Sequence, residues 1–222
     1  MSDPNSWLER TLRQAFRYLN WWMLLLWRLG LGPWLSLTPQ ISGRYLVLNH
    51  IGRKSGLRRR TPLNFAEIDG TIYITAGFGA ISDWYRNLLA NPQVELWLPH
   101  TRWRGVAHEL PQDHPQRIEL LREVLKGSGF VAPLMGVNPY TMSDAQLAAA
   151  STAYRLIAMT QEEPATGADG PGDLAWIWLV FAVAFTLINL PRLIPPRCGA
   201  TPAASAPESC RPVPPRQRPA RD

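Results

Sequence analysis

The segment Gly52-Arg53-Lys54-Ser55-Gly56-Leu57-Arg58-Arg59-Arg60-Thr61-Pro62-Leu63 concentrates the chemistry of this chain, with five cations among twelve residues and two glycines flanking a turn. Glycine allows close backbone approach and dihedrals that other residues avoid. Successive amides can therefore join Arg53, Lys54 and the Ser55 hydroxyl around one anion. Arg supplies a planar fork and Lys a point charge, a pairing suited to a phosphodiester or a carboxylated tail. The order Gly-x-x-x-x-Gly-Lys-Ser is absent, which excludes a Walker loop. Taken alone, the same residues also read as a solvated basic hairpin. Lys54 stands out because Lys126 is the chain's one other lysine, Arg carrying the remaining basic charge.

A second segment, Ala76-Gly77-Phe78-Gly79-Ala80-Ile81-Ser82-Asp83-Trp84-Tyr85-Arg86-Asn87, passes from a strand end through glycines into a helix that Ser82 can cap. Amides at such a junction can bond the carbonyls of a flat heterocycle or an anion. Trp84, Asn87 and Asn91 recur at i, i+3 and i+7 and share one helical face, which by itself reads equally as core plus cap.

The elements that must position these residues follow from periodicity. Trp7 to Leu31 is aromatic-rich and amphipathic, with Arg10, Arg13 and Arg17 early and Arg28 late. It reads as a helix lying in a membrane headgroup region or capping the domain. Short strands are expected over Tyr45–Asn49, Thr61–Ile68, Thr71–Ala76, Val94–Leu98 and Trp103–Glu109, with Asp69-Gly70 making a tight hairpin. Helices are expected from Ser82 to Ala90, around Ile118–Leu125, and from Asp144 to Ala150 after Ser143. Tyr154–Thr160, which contains Met159, is ambiguous by period and suits a closing strand by position. Hairpin-linked strands with few helices predict a small barrel of the α+β class.

Composition bounds the rest. A chain of 222 residues suits one domain with appendages. The net charge of +6 is mostly a tail effect, because the stretch from Pro191 carries six Arg against Glu208 and Asp222. That distribution argues against nucleic-acid reading, which needs the charge on a folded face, and favours an anionic membrane surface as partner. Cys198 and Cys210 both lie in the tail, and His50, His100, His108 and His114 have no ligand spacing, so no metal is expected and these imidazoles read as satisfied or solvent-facing. Residues 162–173 read as a linker, residues 174–191 as a hydrophobic membrane-directed helix, and residues 192–222 as a disordered Pro/Arg-rich tail. A single-pass anchor is the favoured reading of the apolar run, with an interfacial or self-associating helix as the alternative. Acids before that run and arginines after it would put the domain outside the cell, whereas a cytosolic cofactor requires it inside; the cofactor argument takes precedence.

In order, Gly-Arg-Lys-Ser-Gly, Arg-Arg-Thr-Pro-Leu and Asp-Trp-Tyr-Arg-Asn-Leu-Leu-Ala-Asn-Pro, spread over Tyr45 to Leu98, resemble the deazaflavin (F420)-dependent nitroreductase and quinone reductase family. The resemblance implies a split β-barrel of the FMN-binding type, here over residues 38–161 with the amphipathic helix of residues 1–37 before it and the hydrophobic helix after it. It also implies coenzyme F420, an 8-hydroxy-5-deazaflavin, as cofactor. By position, Arg53, Lys54, Ser55 and Arg59 would hold its phosphate and acidic tail. Thr61, Pro62, Ala76, Gly77, Gly79, Trp84 and Asn87 would contact ring and linker, and Tyr140 would wall the substrate. Phe78 departs from the pattern, which has a cation there, and the spacing before Trp84 is shorter.

The expected reaction is hydride transfer from reduced F420 to a quinone-like or nitroaromatic acceptor at the membrane, with the domain on the cytoplasmic side. The protein's task is orientation and charge stabilisation, and no catalytic acid or base is evident. Two alternatives remain: an FMN-dependent oxidoreductase on the same barrel, and a non-enzymatic module gripping anionic lipid.

Overall fold

The computed structural model describes residues 18–36, 43–167 and 169–193. Six strands, β1 (Tyr45–Ile51), β2 (Arg58–Ile68), β3 (Thr71–Ala76), β4 (Gln93–Trp97), β5 (Arg102–Glu109) and β6 (Arg155–Pro164), close into a barrel in the order β1-β2-β3-β6-β5-β4. Every pairing is antiparallel. Asp69 and Gly70, at φ 50° and 75°, form the β2–β3 hairpin, as an Asp-Gly turn demands. The inward rows, among them Leu46, Leu48, Phe65, Ile72, Ile74, Leu96, Ile157 and Met159, fill the barrel. The ambiguous segment near Met159 is the closing strand, joining β3 to β5.

Helices plug and clad this barrel. α1, helical over residues 18–28, lays Trp27 at 0% exposure against Val47 and Trp97 on the outside of β1 and β4. Its other side leaves Tyr18, Leu19, Trp21 and Trp22 exposed, so the described part of this helix both caps the domain and presents aromatic surface. Residues 1–17 of the expected helix lie outside the described residues. α2 (Asp83–Ala90) inserts Tyr85 and Leu88 into the barrel core. α3 (Arg117–Lys126) packs Leu120 and Val124 on Ala66 and Leu156. Its Leu121 and Leu125 meet α4 (Val131–Leu134) and α5 (Asp144–Ala150). α5 begins on a complete capping box, Ser143 accepting from the Gln146 amide while Gln146 accepts from that of Ser143.

Two sequence expectations need correction. β6 continues through Pro164, with Glu163 paired to Arg104 at 2.9 Å, so the acidic stretch is partly strand. Beyond it the chain is strapped down: the Gly172 and Leu174 amides donate to the carbonyls of Trp27 and Arg28, and Asp173 pairs with Arg28 at 2.9 Å. These bonds form because α1 ends with its last carbonyls open, and a glycine-bearing segment can approach them closely. The described residues after Gln161 are therefore strand and strap, where a linker was expected.

The second correction concerns the apolar run. The chain divides into Met1–Ile177 and Trp178–Asp222. A helix, α6 (Trp176–Leu193), does form, and from Trp178 to Leu190 its large apolar side chains are mostly exposed. Yet among the described residues no helix is long and apolar enough to cross a membrane. Eighteen residues rise about 27 Å, and Asn189 and Arg192 fall inside the last turns, shortening the apolar part further. Nothing among the described residues supports the single-pass anchor. Most of the expected tail, from residue 194, lies outside the described residues, with both cysteines.

Candidate functional site

Strand alternation and the α2 plug build the site. Leu46 and Leu48 of β1 point into the barrel, so the next inward position is His50; on β2 the matching row runs Phe65, Leu63 and Thr61. Both rows end beneath α2, which presents Asn87. The turn Gly52–Leu57 then carries the cations past the helix start, with Gly56 at φ 65° supplying the left-handed residue that closes it.

Arg53 joins the two sequence motifs. Its amide and its Nη1 donate to Asn87 Oδ1 at 3.1 and 3.0 Å, and Nη1 also reaches the Asp83 carbonyl at 3.3 Å. Its Nη2 pairs with Asp83 Oδ1 at 2.9 Å, and this bond holds the Asp83 carboxyl below the usual carboxylate range. On the other side, Asn87 Nδ2 lies 3.2 Å from His50 Nδ1, and His50 Nε2 lies 3.1 Å from Thr61 Oγ1. His50 is 3% exposed; desolvation first, then the charge of Arg59, depress its pKa to about 4. It is a satisfied histidine, as the spacing suggested, and it is neutral at pH 7.

These residues open onto a cleft of about 960 Å³. Nine of the eleven residues expected at the cofactor line it: Arg53, Lys54, Ser55, Arg59, Thr61, Pro62, Gly77, Trp84 and Asn87. Ala76 does not, being packed in the barrel core and paired with Arg155. Gly79 is also outside the lining; it is buried at φ 59° with its Cα facing the Ala153 carbonyl, where any side chain would collide. Tyr140 stands away from the cleft, 59% exposed in the loop before α5. The cleft tyrosines are instead Tyr45 and Tyr154, and burial raises the pKa of both phenols.

The cleft has two characters. Around the turn it is cationic: Lys54 and Arg59 have no ion-pair partner among the described residues, whereas Arg53 is neutralised by Asp83 and Arg60 is engaged with Asn49 and the face of Trp97. Two unpaired cations beside the Ser55 hydroxyl and backbone amides suit a phosphate or carboxylate. Elsewhere it is apolar, bounded by Leu125, Val131, Ala132 and Met135 from α3–α4 and by Leu19, Trp21 and Met23 from α1. Sequence reasoning missed His50 and Tyr154. The first was readable as the inward position two beyond Leu48, while the second depends on how α3 and α5 stack beside β3.

Residues 36–128 match the family model described as F420H(2)-dependent quinone reductase. This part of the chain is similar to that family. The chain is thus a deazaflavin-dependent oxidoreductase whose cofactor is coenzyme F420, and the matched segment contains both motifs and the Arg53 junction between them. Among solved structures the reductase is similar to an F420-H2 dependent reductase, FDR-A, at 19% identity and TM-score 0.37, covering 52% of this chain and 93% of that one. It is also similar to a conserved hypothetical protein of Mycobacterium tuberculosis at 20% identity and TM-score 0.40, covering 55% and 76%. A third, the heme storage protein HutZ of Vibrio cholerae, is 15% identical at TM-score 0.38, covering 54% and 82%.

Proposed function

We propose that this reductase uses F420H2 to reduce a quinone-like or nitroaromatic acceptor at a membrane surface, with the barrel on the cytoplasmic side where the cofactor is available. One observation carries the reading: the cationic turn and the α2 helix, 30 residues apart, are bonded through Arg53 on the wall of a single cleft. When bound, F420H2 supplies the hydride. Lys54, Arg59 and Ser55 hold the anionic tail, while Arg53 keeps the turn and helix in register. Thr61, Pro62, Gly77, Trp84 and Asn87 line the path from that anion site toward the apolar region and orient the ring there.

The apolar region suits a hydrophobic aromatic acceptor, and its walls exclude water from the reacting atoms. Developing negative charge on an acceptor oxygen is met by a hydroxyl donor. Tyr154, half-buried on the cleft wall and next to Gly77, takes this role, for which Tyr140 is too distant. Exposed Trp21, Trp22 and Trp34 support docking to a headgroup layer, because Trp prefers that boundary; Leu19 and Trp21 also line the cleft, so an acceptor partitioned into lipid meets the site at this edge.

Titration of the full chain with F420 and, separately, with flavin mononucleotide tests the proposal, followed by turnover of a short-chain quinone and a nitroaromatic in the presence and absence of anionic vesicles. Saturable F420 binding with acceptor reduction supports it. Tighter binding of flavin mononucleotide would move the chain to the flavin reading, and vesicle binding without affinity for either cofactor would make it a peripheral lipid-binding module.

A further inference from the structure

The bonds below α2 fix a proton arrangement, and through it the polarity of one face of the cleft. Asn87 Oδ1 accepts two bonds from Arg53, which settles which end of the side-chain amide faces which way. Its Nδ2 therefore points at His50 Nδ1, 3.2 Å away. An amide nitrogen only donates, so Nδ1 must be a bare acceptor. A neutral imidazole then carries its single proton on Nε2, which lies 3.1 Å from Thr61 Oγ1. The Thr61 oxygen receives that proton and keeps its own for another acceptor. None is present among the described residues, and Thr61 lines the cleft.

We propose that His50 is a positioning residue: held by Asn87 as the neutral Nε2–H imidazole, it turns the Thr61 hydroxyl into a fixed hydrogen-bond donor aimed at the carbonyl or anionic edge of the deazaflavin ring. The inference rests on the cofactor site proposed above. It assigns roles to two side chains that would otherwise be inert: a buried histidine with no metal or nucleophile to serve, and a threonine whose hydroxyl could equally accept. Protonated His50 would present a hydrogen to Asn87 Nδ2 and break the chain at its first link. The charged groups around it oppose that protonation. Arg59, its register partner on β2, faces it directly; Arg53 reaches it through Asn87; Asp83 of α2 is already paired with Arg53; and the backbone hydrogen bond at Ile51, which favours protonation, is the smallest of these influences.

The tautomer is tested on the cofactor-free full chain, by long-range 15N–1H correlation of the assigned His50 ring at pH 7 and at pH 5.5. A bare Nδ1 and a protonated Nε2 at both values are expected. A protonated Nδ1, or an imidazolium at pH 5.5, would overturn the inference. The donor is tested by F420 affinity: Thr61→Val should weaken binding roughly tenfold, the worth of one neutral hydrogen bond with its partner left unpaired, and Thr61→Ser should restore it to within about threefold. Binding by the wild type should also weaken below pH 5 more steeply than binding by Thr61→Val, which has no donor left to lose. Equal affinity of the wild type and Thr61→Val, or parallel pH profiles, would refute the donor role. If F420 does not bind at all, the cofactor reading has failed, and the ring spectrum still decides the protonation of His50.

Discussion

Replacing both Lys54 and Arg59 by Ala separates binding from folding more cleanly than any other change to this site. Neither side chain has an ion-pair partner among the described residues, so their removal leaves no buried charge behind. Stability should change by no more than about 0.5 kcal/mol, the usual range for surface substitutions away from special features. Each cation is placed to make charge-assisted bonds to the cofactor's anionic tail, worth about 1.5–3 kcal/mol apiece. Losing both should cost about 3–6 kcal/mol, which at about 1.4 kcal/mol per decade is roughly a hundredfold to ten-thousandfold in Kd. Arg53→Ala is the contrasting variant. It removes the staple to Asp83 and Asn87, so affinity and melting temperature should fall together. Fluorescence titration with F420 at two salt concentrations measures the first effect and thermal unfolding the second. The double variant should also show a weaker salt dependence, having lost two of the contacting charges. If its affinity is within threefold of wild type, the phosphate site is not at this turn.

Trp27→Ala should destabilise the chain by about 3–5 kcal/mol in urea titration, because the ring is sealed against Val47 and Trp97, whereas Trp22→Ala, on the exposed side of α1, should fall within about 0.5 kcal/mol. Acid should weaken folding through His50. With its folded pKa near 4, below the usual 6.5, the unfolded chain binds the extra proton first, so stability is full above about pH 6.5 and is lost progressively down to about pH 4, by about 3 kcal/mol at most. Denaturant midpoints between pH 7 and pH 4 check this, and His50→Gln should flatten the decline. Tyr154→Phe should reduce acceptor turnover by about tenfold to a hundredfold with F420 affinity unchanged, while Tyr140→Phe should be silent; a loss confined to Tyr140→Phe would put the acceptor at the outer loop instead.

The sequence determined what is local. Asp69-Gly70 called for a hairpin turn, Ser143 marked a helix start, and the alternation through β1 and β2 set which side chains face the barrel. It also carried the ordered motifs of the cofactor segment, since amide cradles and fixed cation spacings are properties of a few consecutive residues. What it could not determine depends on partners far along the chain. The acidic stretch after Gln161 looked like a linker because its composition is that of one, yet the open carbonyls at the end of α1, some 145 residues earlier, bind it down. Arg53 read as a phosphate ligand, and the fold also pairs it with Asp83 and Asn87 on the cleft wall. The family resemblance pointed to Tyr140 as the substrate wall, but the packing of α3 and α5 puts Tyr154 on the cleft and leaves Tyr140 59% exposed outside its lining. His50 became informative only once closure of the barrel placed it between an amide that must donate and a hydroxyl that must accept. Tertiary structure decided these cases because a side chain's role is set by whichever group occupies its unmet hydrogen bond or charge, and that neighbour is chosen by the fold.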